Sequence, residues 1–186
     1  MDENYRDLDI QIQNVVASAS VDQKFNLPDI VKTFRNVEYR PKQFPGLVFR
    51  LKRPKTATLI FSSGKMVCTG AKSSKLAKSA VRKVVRELKA NGIVVLGRPK
   101  ITIQNMVASA NLHGQVDLET AADLLDNVMY EPEQFPGLIY RMKDPKTVLL
   151  IFASGKVVCT GGKSEDMVNE SVNKLYELLD DYALFY

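Results

Sequence analysis

The chain has 186 residues, 45% of them apolar, enough to build the core of one or two modules. No apolar run nears the roughly 20 residues of a membrane span, and the opening MDENYRDLD is acidic and polar rather than signal-like, so a soluble intracellular protein is expected. The net charge of +5 hides a split: residues 1–92 carry 18 Lys/Arg against 8 Asp/Glu, while residues 93–186 carry 8 against 13. Halves of opposite sign suggest a polyanion for the protein as a whole and different protein partners for its two ends.

In chain order, Ile10 to Ser18 alternates like a strand. Leu27, Ile30, Val31 and Phe34 then give a short helical stripe, and the Pro- and Gly-bearing stretch Arg40 to Gly46 reads as a loop. Strands are expected near Leu47–Lys52, Thr56–Ser62 and Lys65–Gly70, the last two joined by a tight turn at Ser63-Gly64. Ser73 or Ser74 can cap a longer helix with the apolar face Ala77, Ala80, Val81, Val84, Val85 and Leu88. Residues Ala90 to Pro99, with Asn91-Gly92 and Gly97, form a connector.

The same plan then returns. Ile12 to Ala19 matches Ile103 to Ala110, Gln43 to Leu47 matches Gln134 to Leu138, and LIFSSGKMVCTG from Leu59 matches LIFASGKVVCTG from Leu150, always at an offset of 91. Between residues 41–73 and 132–164, 23 of 33 positions are identical. Two tandem repeats follow, divided here as 1–92 and 93–186, and they are too few and too long for a solenoid. The second short stripe is Leu118, Ala121, Ala122 and Leu125; the second long face is Val168, Ser171, Val172, Leu175, Tyr176 and Leu179.

Strands joined by hairpins, with two helices per repeat, predict an α+β fold: an antiparallel sheet with helices on one face only. Two repeats side by side would continue one curved sheet. By alternation the helices cover Ile60, Met66 and Cys68. That leaves Val16, Leu59, Phe61 and Val67 bare, with Val107, Leu150, Phe152 and Val158 in the second repeat. A bare apolar face of that size marks a binding surface. Cys68 and Cys159 take matching strand positions and read as small buried residues, and His113 aligns with Asp22, so duplication builds no histidine pair. No nucleophile–base pair, metal cluster or phosphate loop recurs, so no enzyme, metal or cofactor is expected.

Three motifs, each present twice, carry a resemblance: IQN-x-V-A-S, Y-x-P-x-x-F-P-G, and PK-x-x-x-LIF-x-SGK-x-V-x-TG-x-KS. From Ile10 onward the chain resembles the TATA-box-binding protein family, and FPG in both loops, with only a short N-terminal stretch, is nearer the archaeal branch than the eukaryotic one. The resemblance implies a pseudo-twofold saddle of about ten strands, its concave underside on a DNA minor groove and its helices on the convex back. It implies a general transcription factor that binds the TATA box and nucleates a preinitiation complex with transcription factor B and the RNA polymerase machinery. Its place would be the cytoplasm and nucleoid in an archaeon, or the nucleus in a eukaryote.

Residue chemistry supplies reasons for that function. An A·T run shows only acceptors in the minor groove, whereas G·C adds an amino donor. A floor of Val16, Leu59, Val67, Val107, Leu150 and Val158 leaves that donor unmatched, at about 1–3 kcal/mol. Asn14 and Asn105, near the pseudo-twofold, should donate to central base acceptors, flanked by Thr69 and Thr160. The resemblance makes wedges of Phe44, Phe61, Phe135 and Phe152; apolar wedges between base steps kink a duplex, and the TATA-binding protein is itself a standing example. Phosphates fall to Arg50, Lys65, Lys72, Arg141, Lys156 and Lys163. Arg40 and Lys42 become Glu131 and Glu133 in the second repeat, and the resemblance assigns that acidic loop to transcription factor B. The basic helix near residues 75–89 could hold a regulator or flanking DNA. The alternative to a duplex binder is a single-stranded RNA or DNA binder that stacks bases on sheet aromatics.

Overall fold

The structure, a computed structural model, describes residues 6–186. The first repeat runs β1 (Gln11–Ser20), α1 (Leu27–Thr33), β2 (Val37–Glu38), β3 (Leu47–Lys52), β4 (Lys55–Ile60), β5 (Lys65–Ala71) and α2 (Ser74–Ala90). The second repeats the order as β6 (Lys100–Asn111), α3 (Leu118–Leu124), β7 (Val128–Met129), β8 (Leu138–Lys143), β9 (Lys146–Ile151), β10 (Lys156–Gly162) and α4 (Glu165–Asp181). The strands form one open antiparallel sheet in the order β2-β3-β4-β5-β1-β6-β10-β9-β8-β7. Contacts divide the chain into two compact units, one spanning Asn14–Gln104 and the other joining the segment that ends at Gln13 to Asn105–Tyr186.

Within the Asn14–Gln104 unit, α2 packs on β3, β4 and β5. Ser73 caps it, its Oγ accepting from the Leu76 N–H at 3.1 Å, which satisfies one of the free donors of the first turn. Its expected face is realised in full: Ala77, Ala80, Val81, Val84, Val85 and Leu88 are all buried. They meet a strand row in register, Val37 opposite Phe49, then Thr58, Cys68 and Ala17, of which the last four are inaccessible to solvent. Fully burying a side chain the size of Phe49 or Met66 stabilises by about 1.5–3 kcal/mol, so this layer carries the unit.

The short helix departs from its expected stripe. Phe34 is the C-cap of α1, already in extended backbone, and Val31 points outward, leaving Leu27 and Ile30 as the buried pair. Once out of the helix, the Phe34 ring meets Phe49 edge-on at 5.1 Å. The two-residue strands β2 and β7 have no counterpart in the sequence reading, because two residues show no period. In the other unit Val168, Ser171, Val172, Leu175 and Leu179 form the buried face of α4. Tyr176, expected among them, is only half-buried; its ring lies 5.1 Å from Phe185, with the Arg6 guanidinium 4.3 Å over it. Among the described residues no helix is long and apolar enough to cross a membrane.

The two cysteines are free and buried, one under each long helix. Burial pushes the Cys159 thiol up to about 11, partly offset by hydrogen bonds with Thr147 and Ser171. A thiol held neutral in the folded state keeps its proton where the unfolded chain, near 9, has lost it. Stability from this group is therefore full below pH 9 and is lost as pH rises toward 11. Denaturant unfolding at pH 8 and pH 10.5 should show the advantage of the parent over Cys159→Ala shrinking by about 1.4 kcal/mol per pH unit within that window.

Candidate nucleic-acid interface

Reversing the alternation gives the other face of each unit. In the Asn14–Gln104 unit, register places Val48 opposite Leu59, Leu59 opposite Val67 and Val67 opposite Ser18. The other unit repeats the row as Ile139, Leu150, Val158 and Ser109. Every one of these residues is half-buried: neighbouring strands shield its flanks while the helix lies on the opposite face. The sequence-derived floor residues Val16, Leu59, Val67, Val107, Leu150 and Val158 all lie in this half-buried class. Four more belong with them, Val48, Ala57, Ile139 and Val148. Their signal was the alternation of β3, β4, β8 and β9, which puts each beside a buried partner.

Asn14 and Thr69 are brought together by a fault in the ladder. Register slips by one residue between Val15 and Ala17 against Cys68 to Ala71, a β-bulge in which Gly70 takes φ +99°. The bulge frees the Gly70 N–H from the ladder, and Asn14 Oδ1 accepts it at 2.7 Å. Asn14 Nδ2 donates to Thr69 Oγ1 at 3.1 Å. An amide nitrogen carries two hydrogens, so the second donor stays available on the strip. Asn105 does the same in its own unit, accepting from the Gly161 N–H at 2.7 Å and donating to Thr160 Oγ1 at 3.3 Å. Here the carbonyl oxygen is committed to the backbone, and that fixes which end of the amide faces outward.

The four phenylalanines form two pairs. Phe44 lies edge-on to Phe61 with centroids 5.8 Å apart at 69°, and Phe135 to Phe152 has the same geometry. Phe44 is 41% exposed and Phe135 36%. The glycine after each Phe-Pro lets the loop ring fold back: a Cβ on Gly46 would stand 2.7 Å from Phe44 Cε1, and one on Gly137 would stand 2.9 Å from Phe135 Cε1. Rings left this open in water carry a hydrophobic cost that contact with a ligand removes.

The expected cations Arg50, Lys65, Lys72, Arg141, Lys156 and Lys163 are all exposed. Arg141 and Lys163 line a surface hollow of about 690 Å³ together with Lys143 and Lys146, which the sequence reading missed. Arg50 is not presented alone, because Glu38 Oε2 lies 3.4 Å from its Nη1. Glu131 and Glu133 are exposed on the β7–β8 loop, where the Glu131 carbonyl accepts the Phe135 N–H at 3.0 Å and so ties the acidic stretch to the ring.

A tandem-repeat antiparallel sheet with helices on one face and half-buried apolar side chains on the other defines the class of the fold. A sequence profile of the family described as transcription factor TFIID (or TATA-binding protein, TBP) matches residues 9–91 and 100–182, and the chain belongs to that family of DNA-binding general transcription factors, not to the enzymes. It is 60% identical to the TATA-box-binding protein of Pyrodictium occultum over 90% of this chain and 84% of that one. It is 49% identical to that of Methanobrevibacter smithii over 96% and 98% respectively. The solved structure of Methanococcus jannaschii TBP matches with a TM-score of 0.84 at 49% identity, covering 92% of this chain and 98% of that chain.

The bulge gives Asn14 a structural job. Asn14→Ala should lower unfolding free energy by about 1 kcal/mol by orphaning the Gly70 N–H, whereas Asn14→Asp, which still accepts that hydrogen, should cost clearly less in parallel denaturant titrations.

Proposed function

We propose that this chain recognises TATA-box promoter DNA in the minor groove, bends it, and recruits transcription factor B and RNA polymerase. The observation that carries the reading is the repeat-matched bare strip with, in each unit, a phenylalanine pair of one exposed loop ring and one half-buried ring. An aliphatic strip gives the G·C amino group no acceptor, and a buried donor without a partner costs about 1–3 kcal/mol. Selection for A·T then comes from what the surface lacks. The outward amide donors of Asn14 and Asn105, with Thr69 and Thr160, match the acceptors that A·T pairs display.

In this reading Phe44, Phe61, Phe135 and Phe152 act as wedges. Opening a base step costs a few kcal/mol, and burying each ring returns roughly 1.5–3 kcal/mol. The two terms nearly cancel, so net affinity comes from the longer contact that a bent duplex makes. Arg50, Lys65, Lys72, Arg141, Lys156 and Lys163 take phosphates, with Lys143 and Lys146 added by the hollow they share with Arg141. Glu131 and Glu133 meet transcription factor B, and the basic face of α2 is left for regulators or flanking DNA. The bare strip carries aliphatic rather than aromatic side chains along its strands, which favours the duplex over a stacked single strand. As a promoter factor the protein works at the nucleoid.

Two experiments test the reading. On a duplex labelled at both ends, Phe61→Ala or Phe152→Ala should widen the end-to-end distance in the complex as read by energy transfer; an unchanged bend would rule out wedging. Glu131→Arg combined with Glu133→Arg should leave duplex affinity within about two-fold, since exposed charges contribute little singly, yet abolish capture of transcription factor B on the preformed complex. Loss of both activities would show that the loop has another role.

A further inference from the structure

The two repeats share one backbone frame at the outer edge of the strip but differ in its charge. In the Asn14–Gln104 unit, Glu38 on the edge strand β2 faces Val48 across the pair, and Arg50 is the diagonal neighbour. The Arg50 N–H donates to the Asn36 carbonyl at 3.3 Å, and Asn36 Nδ2 donates to the Arg50 carbonyl at 2.8 Å. In the other unit Met129 faces Ile139, Arg141 takes the diagonal place, and its N–H donates to the Asn127 carbonyl at 3.0 Å. Strand pairing therefore sets the two arginines in matching places, although Asn127 takes φ +59° where Asn36 does not, and the side chains beside them change.

Glu38 binds two guanidiniums at once. Its Oε1 lies 3.1 Å from Arg40 Nε and its Oε2 3.4 Å from Arg50 Nη1. Met129 offers Arg141 no carboxylate, and among the described residues no ion pair engages Arg141. We propose that Glu38 is a specificity-setting residue that competes with a phosphate group for Arg50, making the first repeat the weaker phosphate holder and Arg141 the stronger. This rests on the duplex-binding reading above. A phosphate approaching Arg50 has to displace or share a carboxylate that stays beside it, and that carboxylate repels the incoming charge. A phosphate approaching Arg141 meets no such competitor. Two arginines in matched frames thus contribute unequally, which gives an otherwise duplicated surface a polarity along asymmetric DNA.

The test is a double-mutant cycle on a labelled A·T-rich duplex, titrated by fluorescence anisotropy across a salt series. In the parent, Arg141→Ala should reduce the slope of log affinity against log salt by about 0.9, one phosphate's worth, and Arg50→Ala should reduce it by clearly less. In a Glu38→Met background, Arg50→Ala should cost as much slope as Arg141→Ala does. Glu38→Met alone should tighten binding about two- to five-fold at low salt, the range of an exposed charge pair. Glu38→Gln should match it, because removal of the charge is what matters. If the parent binds the duplex and Arg141→Ala flattens the slope, while Arg50→Ala costs the same with Glu38 or Met at that position, the competition is refuted and duplex binding stands. If Glu38→Met tightens binding and Glu38→Gln does not, an apolar contact rather than charge is at work, and the proposal fails. If the parent shows no preference for the duplex, the underlying reading falls and this inference with it.

Discussion

A strand has two faces, and the long helix of each repeat can cover only one. The rest of the molecule follows from this. The row Phe49, Thr58, Cys68 and Ala17 is sealed by α2, while the row one residue out of phase, Val48, Leu59, Val67 and Ser18, has only its strand neighbours for shelter. Because the pleat alternates strictly, no local adjustment could bury both rows. The sealed row supplies stability. The open row stays apolar at modest cost, since each residue is already half-shielded by its flanks. The bare surface is thus the other half of the same strands that make the core, and its polar groups have fixed partners, Asn14 and Asn105 at the bulges and Ser18 and Ser109 as acceptors from Gln104 and Gln13.

Duplication lets one repeat serve as a reference for the other. The bulge with its left-handed glycine, the asparagine that satisfies it and the ring pair over a glycine recur with nearly the same distances. What diverges lies away from that geometry. In the core, Thr58 becomes Leu149 and Ala80 becomes Ser171, whose hydroxyl accepts from Thr147 at 2.9 Å and donates to the Met167 carbonyl at 2.8 Å. At the rim, Glu38 and Arg40 give way to Met129 and Glu131. Such exposed positions are free to change sign because solvent screens their effect on folding, and most of the charge split lies on the long helices, α2 carrying six Lys/Arg against one Asp/Glu and α4 one against six.

Much of this was legible from the residues. The phase of β4 and β5 separated buried from bare positions correctly, and the spacing of α2 named its whole buried face, because both patterns run long enough to show a period. The family resemblance then supplied the fold, which the comparisons bear out. Short elements were not legible: β2 and β7 have two residues each, and α1 stops before Phe34 can join its stripe. The structural duty of Asn14 was hidden too, since it depends on a register slip between strands more than 50 residues apart, its partner Gly70 being separated by 56. Lys143 and Lys146 had no place in the sequence reading, because only the fold sets them around the hollow with Arg141 and Lys163.

The compact units do not coincide with the repeats as written in the chain. The unit built on the first repeat runs on to Gln104, several residues into the opening strand of the second, and the segment that ends at Gln13, which begins the first repeat, packs with the other unit. Leu8 is buried there, its carbonyl accepting the Asn111 N–H at 2.8 Å. Severing the polypeptide at the duplication joint would therefore cut across both compact units at once, leaving each fragment short of a piece that packs with it and carrying one that packs elsewhere.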